Sequence, residues 1–496
     1  MCCRQTCASN RYGDPMSTSA APTRTPLISR LVSKFGPGIL PFADVATTEL
    51  PLPRLLRLGL LQFTVALATT LLAGTLNRVM IVELKIPALV VGLMLAVPLV
   101  SAPLRAMIGY KSDTHISVLG WRRVPYILVG TILQFGGLAI MPVAIILMSE
   151  AHQHTSIGIS ASFFSFLCVG MGSHMVQTAG LALATDITPK KDQPRVVALL
   201  YVMLLLGMVV ASVSYAAALR HFSEVRLIQV IQATAELTMF LNIIAAWKQE
   251  VRGSAPTKAP EIARPPFLVA WRQFVRECPQ LVRLLVAIGL GTFAFTLQDV
   301  LLEPFGGQVL KLGVAATTSL TGVMAFGAIL SFALAQKRAS QGADPIRLCA
   351  LGALIGVVGF VTIILSSPML SPALLMIGAL FIGFGNGLFS VGTLLRVMAL
   401  PHHGEHGLAL GAWGAVQATS AGFAMAVAGF VRDFVTAERG GAAMRLSDPF
   451  PGPGYVAAYF LAVIGLFLLL IVLGPLAAKR RDDVAPVAFG IAEFPA

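Results

Sequence analysis

The sequence predicts an all-α polytopic membrane protein in which twelve transmembrane helices form two pseudo-symmetric bundles of six. Of its 496 residues, 56% are hydrophobic and only 12% are charged, whereas a soluble domain carries about 25% charged residues. Apolar runs of about 20 residues, enough for one helix to cross a bilayer, recur along the whole chain. The third observation is a short internal repeat that relates helices six spans apart.

Twelve apolar segments are the predicted spans, which are numbered in chain order. They cover residues 58–82, 86–108, 124–148, 158–187, 195–219, 226–247, 281–303, 312–335, 346–366, 372–398, 408–431 and 455–477. A polar tail, 1–57, precedes span 1, and a second polar tail, 478–496, follows span 12.

The distribution of basic residues predicts the orientation of the spans. Most of the 36 lysines and arginines fall in the two tails and in the connections that follow even-numbered spans, for example Arg54, Arg57, Lys190, Lys191 and Arg480. Because basic connections stay on the cytoplasmic side of a membrane, we expect both termini in the cytoplasm. The net charge of +13 then reflects this bias and does not indicate a nucleic-acid partner.

The longest predicted cytoplasmic connection, 248–280, divides the spans into two sets of six, residues 58–247 and 281–477. Its first half is polar and proline-rich, which is typical of a linker. In its second half, 267–276, large apolar residues stand beside arginines, which predicts a helix lying in the membrane interface. An early start of span 7 explains the same residues.

Two short sequence matches relate the halves of the chain. TLNRV at 75–79 in span 1 matches TLQDV at 296–300 in span 7, and GMGSH at 170–174 in span 4 matches GFGNG at 383–387 in span 10. Each match falls at an equivalent place in an equivalent helix. A duplicated six-helix unit is therefore expected.

The segment between spans 2 and 3 is charged and contains two groups that begin with glycine, Gly109 with Asp113 and Gly120 with Arg122 and Arg123. The spacing within each group resembles that of the signature loop of the major facilitator superfamily, with a longer gap between the two groups. With twelve spans and a central linker, the resemblance implies the fold of that superfamily. A charge-assisted network here can latch the two halves together in one state. Anchoring at the cytoplasmic surface is the alternative for the two arginines.

Polar residues at other cytoplasmic span ends are expected to join this network. Asp186 ends span 4, and Arg195 begins span 5. In the second half, Arg396 and the cluster HHGEH, 402–406, occupy the corresponding connection. The cluster suggests either a metal site or a pH-sensitive surface; the connection is short and exposed, so we expect the surface and predict no metal site.

A more specific resemblance covers nearly the whole chain. The segments that carry it are GTLNRVMIVEL (74–84), SDTHISVLGWRRVPYI (112–127), QTAGLALATDITP (177–189), PRVVALLYVMLLLGM (194–208), LIQVIQ (227–232), LQDVLLEPFGG (297–307) and GFGNGLFSVGTL (383–394). They are similar to the PucC/LhaA family, the bacteriochlorophyll-delivery members of the superfamily. The resemblance implies a multi-pass protein of a photosynthetic inner membrane that assists light-harvesting antenna assembly, with bacteriochlorophyll as possible cargo. The implied partners are antenna polypeptides, membrane lipid and pigment-synthesis enzymes.

Ionisable residues inside spans cost about 2.5–3.5 kcal/mol near a helix centre, so they usually face a cavity or a partner. Arg78 and Asp299 occupy matching positions of the TLNRV/TLQDV repeat. We expect them near each other in the periplasmic half, as an ion pair or within a shared polar cluster that latches the outer side. Glu83 and Glu303 can compete for Arg78. The alternative is that each side chain separately reaches the outer interface.

His174 lies in the middle of span 4, next to Gly170 and Gly172. A neutral imidazole can serve as axial ligand to the magnesium of a bacteriochlorophyll, and the two glycines would leave room for a flat macrocycle. A histidine hydrogen-bonded to a neighbouring helix explains the same residue.

Further polar residues are expected to line a cavity. Gln229, Gln232 and Glu236 share one face of span 6, where they serve either as cavity lining or as interhelical contacts, the second being the safer interpretation. The remaining members of this set are Gln177, Asn386 and Arg396.

No catalytic or nucleotide-binding motif occurs in the sequence, so we do not expect an enzyme. The six cysteines lack metal or redox spacing, and we expect no disulfide framework. Pigment delivery is the first interpretation. The alternatives are a secondary transporter coupled to protons through Asp299, Glu303 or Glu236, and a scaffold that binds antenna subunits without pigment.

Overall fold

The structure is a computed structural model that describes residues 51–100, 121–148, 155–189, 193–250, 276, 280–399, 406–438 and 452–478. All of these lie in one unit of the chain, Val45–Ala496. The described residues are helical apart from short turns, and within them each predicted span corresponds to helix.

The helices keep the numbers of the predicted spans. They are Leu52–Thr69 followed by π-helical Thr70–Leu76 and Val79–Glu83 (span 1), Ala88–Val100 (2), Val124–Met148 (3), Thr155–Asp186 (4), Gln193–Ala218 (5), Glu224–Ala246 (6), Gln280–Thr296 and Leu302–Gln308 (7), Val314–Ser340 (8), Pro345–Ser366 (9), Pro372–Met398 (10), His406–Glu438 (11) and Pro453–Ala478 (12). Ten are long and apolar enough to cross a membrane, and the shorter Ala88–Leu99 and Gln280–Thr296 are also apolar. The predicted all-α polytopic fold is confirmed.

Several helices extend beyond the predicted apolar limits. Span 1 begins at Leu52, because Pro51 at the N-cap and Pro53 in the first turn suit a helix start. Span 8 continues to Ser340 and span 11 to Glu438. An apolar run ends at the first charged residues, whereas a helix can continue through them at the membrane surface.

Span 7 is broken, which the sequence prediction missed. Its first helix ends at Thr296 and its second begins at Leu302. Pro304 explains the break, because proline donates no backbone hydrogen bond and its ring clashes with the carbonyl four residues earlier, at Val300. The turn between the helices exposes the backbone around Asp299 to the neighbouring span.

Contacts between spans follow the predicted two-fold repeat. Spans 1–6 pack as 1 with 5, 1 with 6, 2 with 4, 3 with 4 and 3 with 6, and the same pairs recur six spans later. The glycine repeat explains one of them. A Cβ at Gly130 would meet the Gly172 carbonyl at 2.8 Å, and a Cβ at Gly352 would meet the Gly385 carbonyl at 2.5 Å. The helices of each pair therefore approach at backbone distance.

The two sets of six meet mainly through spans 2 and 11 and through spans 5 and 8. We call the end of the molecule that holds the turns 84–87, 219–223, 309–313 and 367–371 the outer end, which the basic residues predict to be periplasmic. Here a Cβ at Gly92 would lie 2.5 Å from the Met425 carbonyl oxygen, and one at Gly429 would collide with the Ala88 carbonyl. Spans 2 and 11 are thus packed backbone to backbone at the outer end.

Candidate functional site

The candidate site is the outer seam, defined as the contact between spans 1–6 and spans 7–12 at the outer end. Span 1 supplies its centre. Asn77 Nδ2 donates to the Asp299 carbonyl at 2.9 Å, and Arg78 Nη2 donates to the Leu312 carbonyl at 3.1 Å. The outer half of span 1 is π-helical, a conformation that occurs frequently at functional sites.

Arg78 forms its ion pair with Glu83, with 2.6 Å between Nη1 and Oε1. Its guanidinium is 4% exposed, whereas Glu83 is 38% exposed. The two residues are five apart on the π-helical turn Val79–Glu83, and the i→i+5 periodicity of a π-helix favours this approach. The predicted direct pair between Arg78 and Asp299 is therefore wrong, and the competing carboxylate Glu83 takes its place.

Asp299 takes part in the seam through its backbone carbonyl and not as the ion-pair partner of Arg78. Its carboxylate accepts a short hydrogen bond from Gln298 Nε2, while its carbonyl accepts from Asn77. Because the break in span 7 frees that carbonyl from helical hydrogen bonding, a neutral amide on span 1 can bind it. The structure thus places both predicted residues in one polar cluster.

Glu303 is the most buried carboxylate of the cluster, at 2% exposure. Its Oε1 accepts from Thr321 Oγ1 at 2.7 Å and lies against Gly74 of span 1. Within the described part of the chain, its Oε2 has no hydrogen-bond partner, and neither has the buried Nε of Arg78. The seam therefore holds an unsatisfied carboxyl oxygen and an unsatisfied guanidinium nitrogen, an arrangement suited to rearrangement or to polar ligands.

Spans 5 and 8 close the seam beside this cluster. Ser212 of span 5 donates a short bond to the Thr318 carbonyl and accepts from the Gly322 amide at 2.9 Å. The hydroxyls of Thr75 and Thr318 lie 3.3 Å apart across spans 1 and 8. Most seam bonds thus involve backbone groups, whose positions the helices fix.

A second polar group, which sequence reasoning missed, lies at the same end between spans 7, 11 and 12. Arg432 pairs with Asp433 at 2.7 Å and donates to Gln308 Oε1 at 2.8 Å, and Tyr455 donates to the same oxygen at 2.7 Å. Gln308, Arg432, Tyr455 and Lys311 border a pocket of about 270 Å³. The Arg-Asp dipeptide near the end of span 11 was the available sequence signal.

This second group also bonds across the seam. Gln308 Nε2 donates to the Ile81 carbonyl at 3.3 Å, and the Leu89 amide donates to Asp433 Oδ2 at 2.8 Å. Asp433 therefore caps the amino end of span 2, where the partial positive charge of the helix favours a carboxylate.

At the opposite, predicted cytoplasmic end, Arg123 Nε donates to Asp186 Oδ2 at 2.9 Å, which joins two of the predicted network residues. Glu250, which the sequence analysis did not select, accepts from the backbone amides of Arg122, Arg123 and Val124 at 2.6–3.2 Å. It caps the first turn of span 3. Gly109, Asp113 and Gly120 lie outside the described residues, as does the side chain of Arg195.

The corresponding region of the second half has a similar contact. Arg396 of span 10 is buried and donates to Gln280 Oε1 of span 7 at 3.1 Å. It therefore links helices of one set rather than only lining a cavity. Asn386 is half-buried in the same span, and the side chains of 402–406 lie outside the described part.

His174 is half-buried in span 4, where the two glycines do not leave space for a macrocycle. Pro98 of span 2 fills the position of a Cβ at Gly170, and a Cβ at Gly172 would lie 2.5 Å from the Gln134 amide nitrogen. The expected space is occupied by neighbouring helices, so that argument for a pigment site was wrong. Gln177, a turn later, donates to Gln62 of span 1 at 3.4 Å.

The polar residues of span 6 divide between two environments. Gln232 Nε2 donates to the Ala139 carbonyl of span 3 at 3.2 Å, so it is an interhelical contact. Gln229 and Glu236 are exposed on a stripe that continues to Val225 at the closed outer end. Because the two sets of spans are in contact at the outer end, a residue exposed there faces the outside of the protein. The stripe is therefore exterior surface, and the cavity-lining interpretation is wrong for Gln229 and Glu236.

Comparison with solved structures identifies the fold. A bacterial homologue of the human lysosomal transporter Spinster, in an inward-facing and unoccupied conformation, superposes with a TM-score of 0.63 at 14% identity, covering 85% of this chain and 95% of that one. The nucleoside transporter NupG gives 0.63 at 13% identity, with 84% and 99% covered. At these identities the likeness shows the fold alone, which is that of major-facilitator-type transporters.

The chain belongs to the PucC family. The family model described as PUCC protein matches residues 75–481. Protein PucC of Cereibacter sphaeroides is 49% identical over 453 residues, which are 90% of this chain and 97% of that protein. An uncharacterized protein in the puhA-bchM intergenic region of Rhodobacter capsulatus is 44% identical, with 95% and 99% covered.

A more distant relative is the bacteriochlorophyll synthase 44.5 kDa chain of Rhodobacter capsulatus. It is 27% identical over 376 residues, with 75% of this chain and 85% of that protein covered. Together with the helices, these relatives identify a multi-pass membrane protein.

Proposed function

We propose that this protein is a non-enzymatic assembly factor for bacterial light-harvesting antenna complexes, and that it binds bacteriochlorophyll or delivers it to antenna polypeptides in the inner membrane. The observation that carries the proposal is membership of the PucC family over most of the chain. The name of the distant relative, a bacteriochlorophyll synthase chain, fits the same pigment.

The geometry of the seam supports a lateral route for such a cargo. Hydrogen bonds cross the seam at the outer end, whereas the Arg123–Asp186, Glu250 and Arg396–Gln280 contacts at the other end stay within one set of six spans. A pigment with a long hydrocarbon tail partitions into lipid. It can therefore enter from the membrane between spans without an aqueous passage through the outer end.

None of the residues that the structure describes is an established ligand for the pigment. His174 remains a proposed magnesium ligand on the chemistry of its imidazole alone, because Gly170 and Gly172 are packed against spans 2 and 3. If His174→Ala kept the absorbance of co-purified pigment, this assignment would be wrong. Loss of that absorbance from a variant that inserts normally would support it.

The decisive experiment is a deletion strain in which antenna absorbance and total bacteriochlorophyll are measured separately. We expect antenna absorbance to fall while pigment synthesis continues, with recovery on complementation. Unchanged antenna absorbance would overturn the proposal. Pigment absorbance in the purified protein then distinguishes delivery from a scaffold that binds antenna subunits alone.

A secondary transporter is the second candidate, because the fold is that of transporters and Glu303 is buried at the seam. Proton-coupled uptake of a small solute into proteoliposomes, lost in Glu303→Gln, would favour it over antenna assembly.

A further inference from the structure

Glu236 occupies an unusual position for a carboxylate. It lies near the centre of span 6, twelve residues after Glu224 and ten before Ala246, or about 15–18 Å from either end at 1.5 Å per residue. It is exposed, and its neighbours on the surface are the apolar side chains of Leu237 and Phe240. Among the described residues, it is the one Asp, Glu, Lys or Arg that is exposed at mid-span.

The exposed surface is the exterior of the protein. The opposite face of span 6 packs on spans 1 and 3, with Asn242 bonded to Thr64 of span 1 and to Gln134 of span 3. The exposed stripe, by contrast, runs the whole length of the helix. Its members are Val225, Gln229, Ala233, Glu236, Phe240, Ile244 and Trp247.

A carboxylate that faces hydrocarbon is costly unless another molecule satisfies it. Gln229 stands on the same stripe seven residues earlier, or two helical turns, about 10.5 Å along the axis. Positions i and i+7 are those that a second helix contacts when it crosses at a small angle. Glu236 accepts hydrogen bonds when ionised, and Gln229 both donates and accepts.

From these placements, we propose that the exterior face of span 6 docks a transmembrane helix of a partner protein that presents a hydrogen-bond donor at mid-membrane depth. A polypeptide partner at that depth is helical, because only a helix satisfies its own backbone in hydrocarbon. Its donor is a Ser, Thr, Asn, Gln, His, Lys or Arg side chain that reaches Glu236. A hydrogen bond to a charged group is a strong form of contact between membrane helices.

A second copy of this chain is a poorer occupant of the same face. A two-fold dimer through span 6 would place Glu236 near the Glu236 of the other copy, because such an interface pairs the same surface with itself. Two carboxylates at that depth repel each other. The charge of the stripe therefore favours a different chain with donor chemistry.

The test is photocrosslinking in native membranes with p-benzoylphenylalanine in place of Ala233, between Gln229 and Glu236 on the stripe. The matched control carries the probe at Phe467 of span 12, the repeat counterpart of span 6, where an exposed mid-span position has apolar exposed neighbours such as Ile464 and Leu468. Cross-linked peptides are identified by mass spectrometry.

We expect position 233, and not position 467, to yield adducts with a transmembrane helix carrying a donor side chain within one turn of the linked residue. Glu236→Leu is expected to lower that yield about tenfold, since a hydrogen bond to a charged group is worth at least that factor in binding. Glu236→Gln should lower it less. Neither change should alter the melting temperature, because Glu236 is exposed on the exterior of span 6 and its side chain makes no hydrogen bond or ion pair within the described part of the chain.

Adducts only with lipid, with pigment or with a second copy would overturn the proposal, as would a helix adduct that Glu236→Leu leaves unchanged. If the Glu236→Leu variant failed to insert, the proposal would still be tested by the adducts at positions 233 and 467 and by the crosslinking yield of Glu236→Gln. The proposed function bears only on the identity of the partner. The two tests are independent. If no crosslink forms, the deletion strain can still lose antenna absorbance; if the deletion strain keeps its antenna, the crosslink to a partner helix can still form.

Discussion

Arg78 shows how one buried guanidinium organises the outer seam. It is almost fully buried, while its partner Glu83 is partly exposed. Loss of Glu83 therefore strands a buried cation, whereas loss of Arg78 leaves a carboxylate that water can still reach. The bond from Arg78 to the Leu312 carbonyl adds a direct link to the second set of spans. One side chain thus couples a local ion pair to the contact between halves.

Double-mutant cycles test this pairing. We expect the Arg78→Ala and Glu83→Ala changes to couple by about 0.5–3 kcal/mol in the free energy of unfolding, as residues in contact do. Arg78→Ala and Asp299→Ala should couple less strongly than this, since their side chains are not paired with each other. Denaturant titrations of the purified protein in detergent measure both. A larger coupling with Asp299 than with Glu83 would contradict the structure.

The sequence identified Arg78 and Asp299 as seam residues through their repeat positions but could not select their partners. The choice depends on two backbone irregularities, the π-helical turn at Val79–Glu83 and the break at Pro304. Proline gave a usable signal for the break. Composition and periodicity gave no signal for the π-helical turn, because its apolar residues also suit an α-helix.

At the scale of helices, glycine positions determine how closely spans approach. Spans 2 and 11 meet where the Gly429 backbone lies against the Ala88 carbonyl, and a backbone atom cannot yield as a flexible side chain can. Gly414, at the other end of span 11, has nothing within 4 Å of the position that a Cβ would take. Gly429 and Gly414 therefore provide a test position and a control position on the same helix.

We expect Gly429→Ala to separate the outer ends of spans 2 and 11 and to lower the melting temperature. Gly414→Ala should be neutral or stabilising by up to about 1 kcal/mol, the helix-propensity difference between glycine and alanine. Thermal unfolding in detergent measures stability, and the distance between spin labels on the outer turns measures the separation. Equal effects of the two substitutions would show that close approach at Gly429 is unimportant.

Glu250 stabilises the start of span 3 from the end of span 6. Three backbone amides that lack helical partners donate to its carboxylate. We expect Glu250→Ala to cost about 1–2 kcal/mol, the usual effect of removing an N-terminal cap, and Glu250→Gln to cost less. Unfolding free energies measure this effect. Glu224→Ala, at the exposed start of span 6, is the control and should change stability little.

The same residue illustrates why helices were easier to predict than their connections. Apolar runs set the spans to within a few residues, since each must cover the same bilayer thickness. Glu250 was missed because its role depends on which helix start lies beside it in space. Sequence spacing does not indicate that Glu250 and Val124 are neighbours, because they are 126 residues apart in the chain.

At the scale of the molecule, the hydrogen bonds found between the two sets of spans in the described residues lie at the outer end. Thr75 with Thr318, Asn77 with Asp299 and Leu89 with Asp433 all belong to this group. The repeat in the sequence predicted two related sets of helices. It could not predict which end is closed, because a duplicated unit is compatible with either closure and the free-energy difference lies in a few polar contacts.

A disulfide across the outer seam can test whether the protein must alternate between closures. The hydroxyl oxygens of Thr75 and Thr318 lie 3.3 Å apart, so the sulfurs of cysteines at both positions come within reach of each other, and oxidation tests whether they close to the S–S bond length of about 2.05 Å. The outer end is predicted to be periplasmic, where such bonds persist. Mass spectrometry of the linked peptide verifies the bond.

With lateral delivery of pigment, we expect Thr75→Cys/Thr318→Cys to support antenna absorbance in the deletion strain, because the closed outer end is not on the route. The single variants Thr75→Cys and Thr318→Cys are the controls for the loss of each hydroxyl. A transporter that releases solute through the outer end would instead lose function when the bond forms and regain it with reductant. Loss of antenna absorbance in the double variant alone, reversed by reduction, would therefore replace lateral delivery with alternating access.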